Sequence, residues 1–259
     1  MTIPLTETFG TAQTPDRLIY KGDTLWIFSN PLEQLNGIDS LRKILFGDQE
    51  GCMSTACWRG YEAEWTIMNN ELYLVGIYSC CFYEDSIKAD LRKLFGKKLV
   101  DGKVRAEWVS GEILSPQGKL LSYVHMGYGS IYEKEQVFLF KDGKLIEIKT
   151  YDNSKSKQSD FSKNPDKLQE FIYSNINWTL IPRKEQPVKI YVQFSANEYG
   201  EVDSVKIMKG RDGVFNQKAE RVIKKIPEWD VYYRHGEFER KSWTMPIIFN
   251  EENRKKYKK

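Results

Sequence analysis

The sequence predicts an α+β chain: an antiparallel, hairpin-rich region with short helices, followed by a small strand-strand-helix-strand unit. Three observations carry this. Apolar residues alternate along paired runs that flank two- to four-residue turn signals. Short segments with apolar residues at helical spacing lie between those pairs. Aromatic residues make up 14% of the 259 residues, and flat rings pack well on pleated surfaces.

The hairpins come first. Residues 17–28 form two runs around Lys21-Gly22-Asp23, and 62–78 form two around Asn69-Asn70. Paired asparagines tolerate the positive φ that a two-residue hairpin turn requires. Residues 104–124 read as a third pair around Ser115-Pro116-Gln117-Gly118. Residues 136–150 read as a fourth around Lys141-Asp142-Gly143, where Asp-Gly is the strongest turn signal in the chain.

Helices are predicted over 39–46 and 85–95, each opening on Asp-Ser and closing at a glycine. Both end in related text, Leu41 to Gly47 and Leu91 to Gly96, and each precedes an Ala-Glu-Trp, at Ala63 and Ala106. This reads as a weak internal repeat of helix and hairpin, with convergence on one local solution as the alternative. Residues 152–164 are polar without apolar period and read as a loop; 165–176 read as a helix with Leu168, Phe171 and Ile172 on one face. The charged stretch Arg183-Lys184-Glu185-Gln186-Pro187 marks the expected boundary, giving domains 1–183 and 187–259.

Beyond Pro187 the pattern is cleaner. A strand over 188–196 alternates Val188, Ile190, Val192 and Phe194, and turns at Asn197-Glu198-Tyr199-Gly200. A second strand covers 202–208. A helix opened by Asp212-Gly213 runs over 214–226 with Phe215, Ala219, Val222, Ile223 and Ile226 on one stripe, and Pro227 stops it. A last strand covers 242–249, and the basic tail 253–259 reads as a frayed terminus.

This segment resembles the C-terminal domain of the TonB energy transducers. The match lies in Ile190-Tyr191-Val192-Gln193-Phe194, Glu198-Tyr199-Gly200-Glu201-Val202, Val205-Lys206-Ile207-Met208-Lys209-Gly210 and the helix from Ala219. It ends with Ile226-Pro227-Glu228-Trp229 and Thr244-Met245-Pro246-Ile247-Ile248-Phe249, of which Pro-x-Trp and the strand proline are the most specific. It spans 187–250, about a quarter of the chain. The resemblance implies a docking module that binds an extended peptide, such as an outer-membrane receptor segment, by strand addition. Pro246 has no N–H to give, which suits an edge or bulged strand, and an open edge accepts an added strand. The peptide-binding residues expected on that edge are Trp243, Met245, Pro246 and Ile248. The family's membrane anchor and Pro-rich spacer have no counterpart in the sequence, and Lys184-Glu185-Gln186-Pro187 stands where the family has a Tyr-Pro motif. Energy transduction is therefore not expected of the chain as given.

Other functional classes are weighed on the same residues. A net charge of +3 argues against a dedicated nucleic-acid binder. No apolar run approaches bilayer length, so no integral membrane segment is expected. The first ten residues have neither a basic start nor an apolar core, so they are not a signal peptide. As given, the sequence suits the cytoplasm; the resemblance suits the periplasm or cell envelope after removal of an export signal.

Neither a metal nor a cofactor is expected. Acidic residues lack metal-type clustering, and no phosphate loop or dinucleotide fingerprint occurs. Cys52, Cys57, Cys80 and Cys81 do not follow zinc-ligand spacing. They read as buried thiols, with a Cys52–Cys57 disulfide or a reactive thiol as the alternatives. The leading expectation is a non-enzymatic binding protein. The alternative is a thiol-dependent enzyme in the N-terminal domain, using Cys57 or Cys81 with His125, since nucleophile and base need only meet in space.

Overall fold

The computed structural model describes residues 11–49, 51–211 and 213–258, and the chain is mixed α+β, mostly strands with a few short helices. The first ten residues and Asp212 lie outside the described residues, and with them the signal-peptide reading and the aspartate expected to open the C-terminal helix. Two compact units part between Asp152 and Asn153, about thirty residues before the expected boundary. The reason is packing. Ile172, Tyr173, Ile176, Trp178 and Ile181, all expected in the first domain, are buried in one core with Val188, Ile190 and Phe249.

The N-terminal unit is built from β1 (Asp16–Tyr20), β2 (Asp23–Ile27), α1 (Ile38–Arg42), β3 (Glu62–Met68), β4 (Glu71–Tyr78), α2 (Phe82–Asp85) and α3 (Leu91–Phe95). It continues through β5 (Leu99–Val100), β6 (Lys103–Arg105), β7 (Gly111–Ser122), β8 (Ile131–Lys141) and β9 (Lys144–Asp152). Its sheet runs β2-β1-β3-β4-β9-β8-β7, with β5 and β6 attached beside β4. All pairs are antiparallel except β1 with β3. The two ends of the path meet: Phe28 N–H donates to the Leu114 carbonyl at 2.7 Å, and Ser115 Oγ donates to the Trp26 carbonyl at 2.8 Å. The sheet thus curls toward a barrel, and Leu18, Trp65, Leu74, Ile77, Val104 and Phe138 fill its inside.

Three predicted hairpins form with the expected turn chemistry. Lys21 and Gly22, Asn69 and Asn70, and Asp142 and Gly143 all take positive φ. Gly143 is also required sterically, because a Cβ there would lie 2.6 Å from the Ala106 carbonyl oxygen. The hairpin expected at 115–118 does not form: Ser115, Pro116 and Gln117 of β7 pair with Gln136, Glu135 and Lys134 of β8, and the register shifts just beyond, where Gly118 takes a positive φ. The N–H and C=O of Leu114 point outward to Ser29 and Phe28, so the missing N–H of Pro116, two residues on, falls on the same outward side. The helix expected over 85–95 begins instead at Asp90, whose carboxylate accepts from the Arg92 and Lys93 N–H groups. Asp85 is diverted to Ser79 Oγ and the Ile87 N–H.

The C-terminal unit contains α4 (Asp160–Lys163), α5 (Pro165–Ser174), β10 (Val188–Ala196), β11 (Val202–Lys209), α6 (Gly213–Ile223), β12 (Tyr233–Arg234), β13 (Glu237–Phe238), β14 (Ser242–Phe249) and α7 (Glu251–Tyr257). Its antiparallel sheet has the order β11-β10-β14. Ile190, Val192 and Phe194 of β10 and Ile247 and Phe249 of β14 share a core with Phe215, Ala219, Val222 and Ile223 of α6. Where a frayed tail was expected, Glu251–Tyr257 form a helix. Asn250 caps α7, and Arg254, 8% exposed, donates to the carbonyls of Trp178, Ile181 and Pro182.

Candidate functional site: a half-closed sheet edge

β10 is the central strand of its sheet, so β14 is an edge strand, as the proline at 246 suggests. Side chains alternate across it. Trp243 and Met245 lie opposite Phe194 and Val192 and pack against the core. Trp243 meets Trp229 edge-on at 5.8 Å and stacks near Tyr232 at 6.5 Å. Both residues therefore work as partly buried supports of the strand. Pro246 and Ile248 lie opposite Tyr191 and Lys189, on the face away from α6.

Backbone directions are fixed by the register. In an antiparallel pair, alternate residues turn both polar groups toward or away from the partner strand. Ile248 turns away from β10: its N–H donates to Tyr173 Oη at 3.1 Å, and its C=O accepts from Asn253 Nδ2 at 2.9 Å. By the same alternation Ser242, Thr244 and Pro246 also present their backbone outward. Among the described residues nothing pairs with these three. The edge is thus closed at one end by α5 and α7 and open over 242–246. Burial pushes the Tyr173 hydroxyl above the usual tyrosine range, so it stays a neutral group at physiological pH.

The opposite edge strand, β11, carries register shifts at both ends of its pairing with β10. Asp203 on it is held by a bidentate pair with Arg240, at 2.6 and 2.9 Å, and Arg240 also donates to Ser195 Oγ. Bulges and a clamped charge are common ways of discouraging edge pairing.

The N-terminal unit was the expected place for thiol chemistry, and here the reading changes. Cys52 is bonded to Cys81 and Cys57 to Cys80, with Cα separations of 5.6 and 6.1 Å. No cysteine is free, so the expected buried thiols, the Cys52–Cys57 bond and the Cys–His pair are all replaced. Strand β4 ends at Tyr78, so Cys80 and Cys81 lie in a turn from which adjacent side chains reach two partners in the 52–57 loop. Ser79 Oγ accepts from the N–H groups of both Cys52 and Cys81 and fixes that turn. His125 faces Tyr123, with 2.8 Å between Nδ1 and the phenol oxygen. No metal-type cluster occurs among the described residues.

One buried polar network went unread in the sequence. The Asp16 carboxylate accepts from Arg59 Nη2 at 2.9 Å, the Ala63 N–H at 3.0 Å and Trp65 Nε1 at 3.1 Å. Both side chains of the Asp16–Arg59 pair are fully buried. Burial pushes the Asp16 carboxyl upward, while Arg59 and the two N–H donors pull it back. Tyr61 donates to Glu33, which also holds Arg42. Both carboxylate oxygens are satisfied from within the fold, while Arg59 Nε and Nη1 are buried with no hydrogen-bond partner among the described residues; the contacts tie β1, β3 and the 59–61 turn together. Set against family models, curated proteins and solved structures, the chain matches none of the three.

Proposed function

We propose that the C-terminal unit is a non-enzymatic docking module that takes up an extended peptide by strand addition along residues 242–246 of β14. The observation that carries this reading is the half-closed edge: outward backbone groups of Ser242, Thr244 and Pro246 have no partner among the described residues, while the same edge is capped at Ile248. The cap sets the register, because an added strand has to stop short of Tyr173 and Asn253. The resemblance of 187–250 to TonB C-terminal domains supports the same use. Residues 153–259 carry 22 Lys and Arg against 15 Asp and Glu, a net +7 that favours an acidic peptide. Two disulfides favour an oxidising compartment, in keeping with the cell envelope and a receptor segment as partner.

The test is to titrate a panel of short acidic peptides into the full chain and follow backbone amide signals by NMR. The expected shifts fall at 242–246 and leave 202–209 in place. Thr244→Pro removes the central outward N–H without touching a bond to β10, and should weaken binding about ten-fold. Shifts confined to β11, unchanged binding by Thr244→Pro, or no peptide bound would each overturn the reading.

A further inference from the structure

A second surface lies in the N-terminal unit, on the outer face of β1 to β4. Side chains there alternate with buried Leu18, Ala63 and Trp65 and point away from the core. The register sets Trp26 of β2 beside Arg17 of β1, Arg17 beside Glu64 of β3, and Glu64 beside Gly76 of β4. The row crosses three strand spacings, about 14 Å. Gly76 leaves its place bare and the Tyr78 ring covers it: a Cβ on Gly76 would lie 2.5 Å from the Tyr78 hydroxyl oxygen. Phe82 of α2 meets Tyr78 edge-on at 4.7 Å, and Tyr83 follows at 6.2 Å from Phe82. Trp26 is 50% and Tyr83 88% exposed. Single exposed rings are ordinary, but several gathered on one face mark a binding surface.

The polar groups on this face carry both signs. Arg17 is central: it pairs with Glu64 at 3.3 Å, lies 5.2 Å from the Tyr78 ring centroid, and comes within 3.5 Å of the Tyr83 hydroxyl. Glu62, opposite Tyr78, is partly buried and makes no hydrogen bond or ion pair among the described residues. Burial pushes its carboxyl upward against the pull of the Arg17 and Arg59 charges, so it gains from a donor brought to it. This mixture selects by charge. Arg17 keeps cations off the rings, and the two carboxylates keep anions off Arg17. What fits is a neutral molecule with flat apolar faces and hydroxyl donors at its rim. A pyranose with equatorial hydroxyls has that form: both its faces are C–H surface, and positive C–H edges suit the negative face of an aromatic ring.

We propose that this face binds a straight, neutral oligosaccharide of the β-1,4-linked class. Its sugars lie along the row from Trp26 to Tyr83, stacked on the rings at its two ends, and its hydroxyls donate to Glu62. A sheet face is open and nearly flat, so a straight chain reaches both exposed rings while a curved one meets only one of them. The two ring contacts and the charge-assisted bond to Glu62 act together, so losing any of them weakens binding.

The test titrates cellotetraose and tetra-N-acetylchitotetraose calorimetrically into the full, oxidised chain, with maltotetraose as the curved control. At least one β-1,4-linked tetramer is expected to bind saturably, about ten-fold or more tighter than maltotetraose. For that tetramer, Trp26→Ala and Tyr83→Ala should each weaken binding about five-fold or more, and Glu62→Gln about three-fold or more. Both rings are exposed and Gln matches Glu in shape, so the variants should keep the parent circular dichroism. Absence of saturable binding by both β-1,4-linked tetramers, equal binding of maltotetraose, or parent-like binding by any of the three variants would overturn the assignment. None of these outcomes bears on β14, so the two proposals stand or fall separately.

Discussion

Tyr128 shows how a single buried hydroxyl ties stability to pH. It stacks on Phe28 with ring centroids 4.9 Å apart, and its hydroxyl lies 2.8 Å from Asn30 Oδ1 and 3.0 Å from the Thr14 carbonyl oxygen. Burial is the main reason its phenol is pushed up to about 12, and Tyr61 is driven upward for the same reason. In the unfolded chain a tyrosine ionises near pH 10. A group whose folded pKa is raised contributes stability that is complete below its unfolded pKa and lost as pH rises through the folded value. The N-terminal unit should therefore lose stability between about pH 10 and 12. Tyr128→Phe should flatten that slope in urea denaturation series collected at stepped pH, even though it lowers stability at neutral pH by removing a hydrogen bond. A slope unchanged by the substitution would show that Tyr128 is not the group responsible.

At the scale of elements, the segment between α1 and β3 is held by covalent bonds more than by regular structure. Both disulfides tie it to the turn after β4, closing loops with sequence separations of 29 and 23 residues. Disulfides of this kind stabilise by about 2–4 kcal/mol each, largely through the unfolded chain. Reduction with a phosphine should free residues 51–57 before the sheet unfolds, while the buried Asp16–Arg59 pair still holds the turn that follows. Limited proteolysis would then cut first in that segment. Cleavage that starts elsewhere would mean the segment is held by its packing alone. β7 makes the complementary point: in a Ser-Pro-Gln-Gly that reads as a turn, Ser115, Pro116 and Gln117 are kept in the strand by pairing with β8, and only Gly118 takes a positive φ, at a register shift.

At the scale of the whole chain, the two units differ in charge and in how they are held. Moving the boundary to Asp152/Asn153 sharpens the charge asymmetry to −4 and +7. The C-terminal core needs α5 and the turn after it. Tyr173 closes the β14 edge, and Trp178 packs edge-on against Phe249 at 5.9 Å. A fragment of residues 153–259 should therefore melt cooperatively. A fragment starting at 187 should lose amide dispersion and expose the β14 edge along its full length, and would tend to aggregate. A well-dispersed spectrum from the shorter fragment would refute this account of the core.

Much of this fold is written locally. Positive-φ turns at Asn69-Asn70 and Asp142-Gly143 depend only on the residues that form them. So does the alternation of Val188, Ile190, Val192 and Phe194, which by itself decides which face of β10 meets a helix. The proline at 246 likewise announces an edge strand, because its missing N–H is a property of the residue. The tertiary structure decided what depends on pairs far apart in the chain. Asp16 finds Arg59 43 residues away, and the cysteines choose partners across 23 and 29 residues against the shorter Cys52–Cys57 option. Ile248 finds Tyr173 75 residues upstream, so only the folded chain shows which half of the edge is open. Turn and strand signals are short-range because backbone sterics are short-range. Which buried polar group meets which partner, and where an edge is left bare, is set by packing that brings distant segments together, and no local pattern encodes it.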